Sequence, residues 1–449
     1  MSRDLSSIFK AYDIRGVYPG ELDEGVARRI GVAFAAFVES DRLIVGRDMR
    51  ESSPSLAEAF IGGVTSAGVN VIDLGLVSTD ACYFAAGLFG APAAMFTASH
   101  NPARYNGLKL CRAEAVPIGV ESGLAEIQES AESADSPPRE RNQGAVEEVD
   151  ILEKYAAHCR SFVDEGALRP LKVAIDAGNG MAGVTVPITF GPLPFEVEPL
   201  YFELDGSFPN HPANPIEEAN LADLQQLVLD KGCDVGIAFD GDADRIFLVD
   251  EKGELVSGSL TTAMVAERVL KKYPGQPIIY NLISSWVVRE VIDENGGKPI
   301  RARVGHSYIK ALMVETGAAF AGEHSGHYYF RDNYRADSGL IAALLVLEGM
   351  SVASMPLSES LEPFQRYSAS GEINSEVDDQ ESMIEKLAEA YGDGKQDRTD
   401  GLTVEFEDWW FNVRPSNTEP LLRLNLEARA RSVKDEKVQE VLSVIRKED

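Results

Sequence analysis

The chain has 449 residues, of which 44% are hydrophobic and 25% are charged, a composition typical of globular proteins. Because a single hydrophobic core stops growing at roughly 250–300 residues, this length predicts several domains. The formal net charge is 42 − 72 = −30, which disfavours duplex nucleic acid and anionic membranes as partners. The first residues lack the apolar stretch of a signal peptide, so we expect a cytoplasmic protein.

Short apolar strands alternate with helical patterns along most of the chain, which indicates α/β units. In the first unit, strand-like RLIVG, helix-like SLAEAFIGGVTSAG, strand-like VNVIDLG and a second helix precede the polar loop TASHNP. The second unit runs in the same order from LKVAIDAG to the loop DGDADR, and the third runs from QPIIYNL to the loop GEHSGH. The last stretch, with strand-like LTVEFE, WWFNVRP and LLRLNLEARA before a terminal helix, indicates a small α+β domain.

We therefore predict three similar mixed-sheet α/β domains and a smaller C-terminal α+β domain around a central cleft. The expected domain bounds are 1–148, 149–250, 251–365 and 366–449. Each of the three polar loops follows a strand, and ligands gather beyond the carboxyl ends of strands in open α/β sheets. The three loops are therefore expected to converge on one site.

The loop Asp240–Arg245, DGDADR, carries three alternating carboxylates between two strand-like runs. Such carboxylates can point at one centre, and hard oxygen ligands suit Mg²⁺. The alternatives are an EF-hand and a solvated acidic turn. An EF-hand is disfavoured because Arg245 occupies the place that needs glycine, and because the flanks read as strands. A metal site is the better interpretation.

The loops TASHNP and GEHSGH carry candidate catalytic groups. Ser99 can act as a covalent phosphoryl carrier if a metal neutralises the phosphate, although a plain turn would use the same residue types. In GEHSGH, alternation places Glu323, Ser325 and His327 on one side of an extended loop. Carboxylate and hydroxyl groups pair with sugar hydroxyls, and histidine is a general acid or base near neutral pH. A structural histidine is the alternative for His327.

Two further segments allow two interpretations each. RPSNTEP, residues 414–420, combines a guanidinium, two hydroxyls and an amide, which suits a phosphate cradle or a helix N-cap turn. GNGMAG, residues 178–183, matches the dinucleotide fingerprint, which would make the chain a nicotinamide-dependent dehydrogenase. Because Pro187 is expected to break the following helix early, we interpret GNGMAG as a tight turn between a strand and a helix.

The segments FKAYDIRG, TASHNP, DGDADR, GEHSGH and RPSNTEP, in this order, resemble the α-D-phosphohexomutase superfamily, and within it bacterial phosphomannomutase/phosphoglucomutase. The resemblance runs from Phe9 to beyond Glu419. It implies a phosphoserine at Ser99 and an Mg²⁺ ion held by Ser99, Asp240, Asp242 and Asp244. It implies catalytic roles for Ser99, Lys109, His327, Arg15 and His100. It implies substrate contacts by Tyr12, Arg245, His306, Glu323, Ser325, Arg414, Ser416, Asn417 and Thr418.

The resemblance also implies an activity. The phosphoserine would move a phosphoryl group between O1 and O6 of a hexose phosphate, of mannose and also of glucose, through a hexose 1,6-bisphosphate that serves as activator. The expected partners are small hexose phosphates, and the expected assembly is a monomer or weak dimer. A phosphoglucosamine mutase is the nearest alternative, disfavoured because that branch tends to carry glutamine where His324 stands. A non-catalytic sugar-phosphate sensor is a third possibility.

Overall fold

The computed structural model describes residues 4–133, 143–415 and 421–446. The chain forms two compact units. The first unit comprises Met1–Ser257 and Ser325–Ser358, and the second comprises Gly258–His324 and Glu359–Asp449.

A seven-stranded mixed sheet opens the first unit. Its strands are β1 (Ile14–Val17), β2 (Arg42–Arg47), β3 (Asn70–Leu76), β4 (Ala93–Phe96), β5 (Tyr105–Arg112), β6 (Val116–Pro117) and β7 (Val146–Glu148). Their order is β1-β5-β4-β2-β3-β7, with β6 paired to β5. β4 runs parallel to β2 and antiparallel to β5, with Met95 opposite Lys109. The hairpin between β4 and β5 therefore holds TASHNP at the carboxyl end of a central strand.

Four helices accompany this sheet: α1 (Glu24–Val38), α2 (Ser53–Ser66), α3 (Thr79–Phe89) and α4 (Leu124–Ser133). Two glycines bring α1 and α2 close together. A Cβ atom on Gly31 would lie 2.3 Å from Phe60 O, and one on Gly63 would lie 2.2 Å from Arg28 O. The Phe60 ring then packs edge-on against Phe96 of β4, with centroids 5.4 Å apart. This core anchors the strand that precedes Ser99.

A second sheet in the first unit has the order β12-β11-β10-β8-β9. Its strands are β8 (Lys172–Asp176), β9 (Glu196–Leu200), β10 (Val235–Phe239), β11 (Ile246–Asp250) and β12 (Leu255–Val256), with helices α5 (Leu152–Arg160), α6 (Ala182–Phe190) and α7 (Ala222–Lys231). β10 is parallel to β8 and antiparallel to β11. The DGDADR loop is therefore the connection of the β10–β11 hairpin.

The GNGMAG segment forms the turn between β8 and α6, as predicted, with Asn179 at φ 58°. The expectation that Pro187 breaks the helix was wrong, since Pro187 lies inside α6, which ends at Phe190. Pro187 is the sixth of nine helical residues, so α6 lacks the bond that an N–H at this position would donate to Gly183 O, and it ends three residues later.

The second unit begins with a further α/β segment. It contains α8 (Gly258–Lys272), β13 (Pro277–Asn281), α9 (Trp286–Glu294), β14 (Lys298–Ala302), α10 (His306–Thr316) and β15 (Phe320–Gly322). β13 is parallel to both β14 and β15. The chain then returns to the first unit with β16 (Tyr328–Phe330) and the buried helix α11 (Gly339–Ala353), after which α12 (Leu357–Leu361) follows.

The C-terminal part of the second unit is an antiparallel sheet in the order β17-β21-β20-β19-β18. It comprises β17 (Ser368–Glu376), α13 (Gln380–Ala390), β18 (Lys395–Asp397), β19 (Leu402–Glu405), β20 (Trp409–Pro415), β21 (Leu421–Ala428) and α14 (Arg431–Ile445). Side chains of α13, α14 and the strands form one buried cluster. The prediction of three α/β domains and a C-terminal α+β domain is confirmed.

Within the described ranges, no single helix is both long and apolar enough to cross a bilayer. One pair, Gly339–Ala353 with Leu357–Phe364, reaches that length and composition together, with a bend of 97° between them.

Candidate active site

Ser99 lies just beyond the end of β4, in a left-handed backbone conformation with φ 49°. Its side chain is buried, and its backbone N–H donates to Thr97 Oγ1 at 2.8 Å. The hydroxyl donates to Asp240 Oδ2 at 2.8 Å and accepts from Arg245 Nη2 at 3.0 Å. The serine therefore meets a carboxylate and a guanidinium from a loop about 140 residues further along the chain.

Asp240, Asp242 and Asp244 bring three carboxylates together at the end of β10. Each is fully buried, and one oxygen from each lies within 4.8 Å of the others. The segment that joins β4 to β5, residues 97–105, is called the serine loop below. Gly241 lets the aspartate loop approach the serine loop, because a Cβ atom on Gly241 would lie 2.6 Å from Ser99 O. The alternating spacing thus points three carboxylates at one centre, as the sequence predicted.

Lys109 of β5 lies between two of these carboxylates. Its Nζ is 2.7 Å from Asp242 Oδ2 and 2.6 Å from Asp244 Oδ2. Thr79 Oγ1 at the start of α3 also donates to Asp242 Oδ2, at 2.6 Å. Although burial opposes both shifts, the ion pairs lower the pKa of Asp242 and raise the pKa of Lys109. The lysine is therefore a protonated cation within the acidic cluster.

The donor set fits a divalent metal ion. Asp242 Oδ1 and Asp244 Oδ1 are buried and have no hydrogen-bond partner among the described residues. Burial, together with the charge of Asp242, raises the pKa values of Asp240 and Asp244. Crowded carboxylates without enough positive charge are costly, and hard divalent cations bind such oxygen ligands. The cluster therefore suits a metal ion.

Two histidines border the serine and the acidic cluster. His100 Nδ1 lies 3.1 Å from Ser99 Oγ and accepts from Arg245 Nη2. Burial and the charge of Arg245 lower the pKa of His100 to about 2. His327 Nδ1 lies 3.0 Å from Ser325 Oγ, and its Nε2 lies 3.8 Å from Asp244 Oδ1. Burial lowers the pKa of His327 to about 4, so both imidazoles are neutral near pH 7.

Two predicted residues, Arg15 and Tyr12, belong to the N-terminal segment. Arg15 of β1 donates from Nη1 to Asn101 Oδ1 at 2.6 Å and pairs with Asp13 at 2.5 Å. Tyr12 is half-buried in the segment that precedes β1. The first unit therefore gathers most of the predicted catalytic and metal-binding side chains around Ser99.

The other predicted residues belong to the second unit. Glu323 follows β15, is buried, and accepts from Gly305 N at 3.2 Å. His306 begins α10, and its side chain lies outside what the structure describes. Arg414 of β20 donates to Glu372 at 2.7 Å. The other three predicted contacts of the RPSNTEP loop lie outside the described ranges: Ser416, Asn417 and Thr418.

Sequence reasoning missed Arg50 and Thr79. Arg50 follows β2, is 1% exposed, and donates to carbonyl oxygens of the serine loop. The available signal was the dense charge of GRDMR directly after a strand, at the same strand end as TASHNP. Thr79 carried only the signal of a helix start, which gives no indication of a contact with Asp242.

Four family models match successive parts of the chain. They describe phosphoglucomutase/phosphomannomutase α/β/α domain I at residues 6–138, domain II at 153–253, domain III at 257–367, and the C-terminal domain at 372–443.

Curated relatives and solved structures agree with these matches. The chain is 40% identical to phosphohexose mutases of Xanthomonas campestris, over 98% of this chain and 99% of theirs. It is 40% identical to a phosphomannomutase of Escherichia coli K12, over 94% of each chain. A phosphoglucomutase/phosphomannomutase family protein of Burkholderia thailandensis superposes with a TM-score of 0.88 at 33% identity, covering 99% of this chain and 98% of its own. The chain therefore belongs to the phosphoglucomutase/phosphomannomutase family and is a phosphohexomutase, an isomerase.

Proposed function

We propose that this phosphohexomutase interconverts the 1-phosphate and 6-phosphate of mannose, and also of glucose, with Ser99 as the covalent phosphoryl carrier. The observation that carries the proposal is the hydrogen bond of 2.8 Å from Ser99 Oγ to Asp240 Oδ2, inside the three-aspartate cluster. A phosphate on that oxygen would lie beside a metal site and the Arg245 guanidinium, which are the groups that phosphoryl transfer requires.

In the proposed site, Asp240, Asp242 and Asp244 hold Mg²⁺ together with the phosphate on Ser99. The ion would supply positive charge against the oxygens of the transferred phosphoryl group. Arg245 and protonated Lys109 add positive charge from the protein, and such fixed charges are most of the catalysis that phosphoryl transfer needs.

Each transfer exchanges one P–O bond for another. The bond from phosphorus to Ser99 Oγ breaks, and a bond from phosphorus to a free sugar hydroxyl oxygen forms, which gives a 1,6-bisphosphate. The hydroxyl proton passes to a neutral base, for which His327 is the proposed group. The leaving Ser99 Oγ takes up one proton, so the step in all moves one proton from the sugar hydroxyl to the serine, and the reverse exchange moves it back. After the bisphosphate has turned, its other phosphate returns to Ser99 by the reverse exchange. Neutral His327 and cationic Lys109 support this division of roles.

The remaining parts of the proposal rest on the family resemblance. Catalytic roles stay predictions for Arg15 and His100. Substrate contacts stay predictions for Tyr12, Arg245, His306, Glu323, Ser325, Arg414, Ser416, Asn417 and Thr418. The domain bounds 1–148, 149–250, 251–365 and 366–449 also stay predictions, as do the bisphosphate activator, a monomer or weak dimer, and a cytoplasmic location.

Parallel kinetics test the proposal. We expect comparable kcat/KM for mannose 1-phosphate and glucose 1-phosphate, with Mg²⁺ and a trace of hexose 1,6-bisphosphate, and a much lower value for glucosamine 1-phosphate. Ser99→Ala should lower kcat by at least about 1,000-fold while the protein stays folded, because the covalent step is lost. The exposed Asp230→Asn serves as the control variant.

Other outcomes would change the assignment. A strong preference for glucosamine 1-phosphate would favour a phosphoglucosamine mutase with the same chemistry. Wild-type activity of Ser99→Ala would disprove the covalent carrier. Folded protein that turns over none of the three sugars would favour the sugar-phosphate sensor.

A further inference from the structure

Arg50 makes an unusual set of contacts for a side chain with no assigned role. Its guanidinium lies beneath the serine loop and donates to four backbone carbonyl oxygens. Nη1 donates to Pro102 O at 3.0 Å and to Tyr105 O at 2.9 Å. Nη2 donates to Ser99 O at 2.8 Å and to Asn101 O at 2.6 Å. One side chain thus holds the whole turn between β4 and β5.

The remaining guanidinium donor, Nε, faces a carboxylate in an ion pair but makes no hydrogen bond among the described residues. Arg50 Nε lies 3.2 Å from Asp48 Oδ2, and both side chains of this ion pair are fully buried. The other oxygen, Asp48 Oδ1, accepts from Arg50 N at 3.0 Å and from Ser53 Oγ at 2.6 Å. Asp48 therefore binds the Arg50 backbone by a hydrogen bond and the guanidinium by charge.

A segment of the second sheet region covers the other face of Arg50. The guanidinium carbon lies 5.0 Å from the centroid of the Phe208 ring, a cation–π contact. Gly206 permits this approach, because a Cβ atom there would lie 2.6 Å from Arg50 Cα. Arg50 is thus enclosed by the serine loop, Asp48 and residues 206–208, and only 1% of it is exposed.

The serine loop needs such support. Ser99 has φ 49°, a left-handed conformation that costs a non-glycine residue of the order of 1–3 kcal/mol and persists only where surrounding contacts impose it. The four carbonyls that Arg50 binds lie in the turn that follows β4, up to Tyr105, the first residue of β5. Without the guanidinium, each of the four carbonyls would lose one donor close to Ser99, and Pro102 O alone is shown with a second one, Tyr105 N at 2.9 Å.

We infer that Arg50 is a positioning residue for phosphoryl transfer: by binding four carbonyls of the serine loop, it holds Ser99 Oγ in line with the acidic cluster without touching substrate or metal. This inference rests on the proposed role of Ser99 as the phosphoryl carrier. Lysine cannot replace Arg50, because its three donors radiate from one atom and cannot span four carbonyls as a planar guanidinium does.

The test is Arg50→Lys, which keeps the positive charge and removes the planar guanidinium with its two Nη donors. Displacement of Oγ by about 1 Å costs about 100-fold in rate, so we expect kcat to fall about 100-fold with KM for the hexose phosphate nearly unchanged. Phosphorylation of Ser99 by hexose 1,6-bisphosphate, followed by intact-protein mass, should slow by the same factor. Both assays are run well below the melting temperatures of both proteins.

Val64→Ala is the matched control, because Val64 is a fully buried core residue in the last turn of α2, whose first turn is the one that follows Arg50. It should lower the melting temperature while kcat and the phosphorylation rate stay at wild-type values. Wild-type kcat in Arg50→Lys, or equal losses in Arg50→Lys and Val64→Ala, would overturn the inference.

A second variant tests the inference if Arg50→Lys does not fold. Asp48→Asn keeps the shape of the partner and removes its charge, so kcat should fall with KM unchanged, by less than in Arg50→Lys. Folded Asp48→Asn with wild-type kcat would then refute the role of Arg50. A different result would show that Ser99 is not the phosphoryl carrier. In that case wild-type protein would gain no phosphate at Ser99, and Ser99→Ala would stay active.

Discussion

At the residue scale, His211 has an environment that suits only its charged form. Its Nε2 lies 2.9 Å from Asp176 Oδ2, and its Nδ1 lies 2.9 Å from Pro212 O. Both ring nitrogens face acceptors, so only the doubly protonated ring can donate to both. Although burial opposes the shift, the hydrogen bond and charge of Asp176 raise the pKa of His211 above its usual 6.5.

This raised pKa predicts a pH-dependent contribution to stability. The contribution is fully present below the unfolded pKa of about 6.5 and is lost as pH rises through the higher folded pKa. We expect His211→Gln to lower Tm more at about pH 5.5 than at about pH 8.5. Calorimetry of both proteins at the two pH values measures this difference. An equal or larger deficit at the higher pH would contradict it.

At the scale of elements, Asp80 joins three helices. It lies in the first turn of α3 and accepts hydrogen bonds from the hydroxyls of Ser78 and of Tyr155 in α5. It also accepts from the hydroxyl of Ser338, the N-cap of α11, at 2.8 Å. Burial raises the pKa of Asp80 to about 7 despite these donors. The adjacent Thr79 donates to Asp242, so the same helix start supports the acidic cluster.

Removing one donor should weaken this junction. Tyr155→Phe leaves a buried carboxyl with one partner fewer, which costs about 1–3 kcal/mol of unfolding free energy, measured by urea denaturation. Tyr201→Phe is the control, because Tyr201 donates to Asp223 near the surface and its loss should cost less than about 0.5 kcal/mol. Equal losses of unfolding free energy in the two variants would show that the hydrogen bond to Asp80 stabilises the fold no more than the surface hydrogen bond does.

At the scale of the whole molecule, the net charge of −30 predicts self-repulsion in the folded state. Salt screens such repulsion, with a Debye length of about 30 Å at 0.01 M and about 10 Å at 0.1 M. We therefore expect Tm to rise as KCl increases from about 0.01 to about 0.2 M, with most of the rise at the low end. A flat Tm, or an equal rise with a neutral solute of the same osmolality, would argue against charge repulsion.

Much of the architecture could be read from local patterns. Alternation of strand-like and helix-like runs predicted the three α/β units and the C-terminal α+β domain. The alternating aspartates predicted a cluster, because a tight turn at a strand end places neighbouring carboxylates together. Pro187 was misjudged, because the loss of one backbone hydrogen bond did not end α6, which continues for three residues beyond it.

The amino-acid sequence alone determined the order of the elements, the family and the chemical types of the candidate groups, because these depend on local periodicity and on motifs of a few residues. Only the tertiary structure decided which distant groups meet. Ser99 and Asp240 are 141 positions apart, and Thr79 and Asp242 are 163 apart. Arg50 reads in the sequence as an ordinary charge after a strand, and its role depends on burial beneath a loop some 50 residues away. Such contacts arise from the packing of hairpins and helices, which local spacing does not encode.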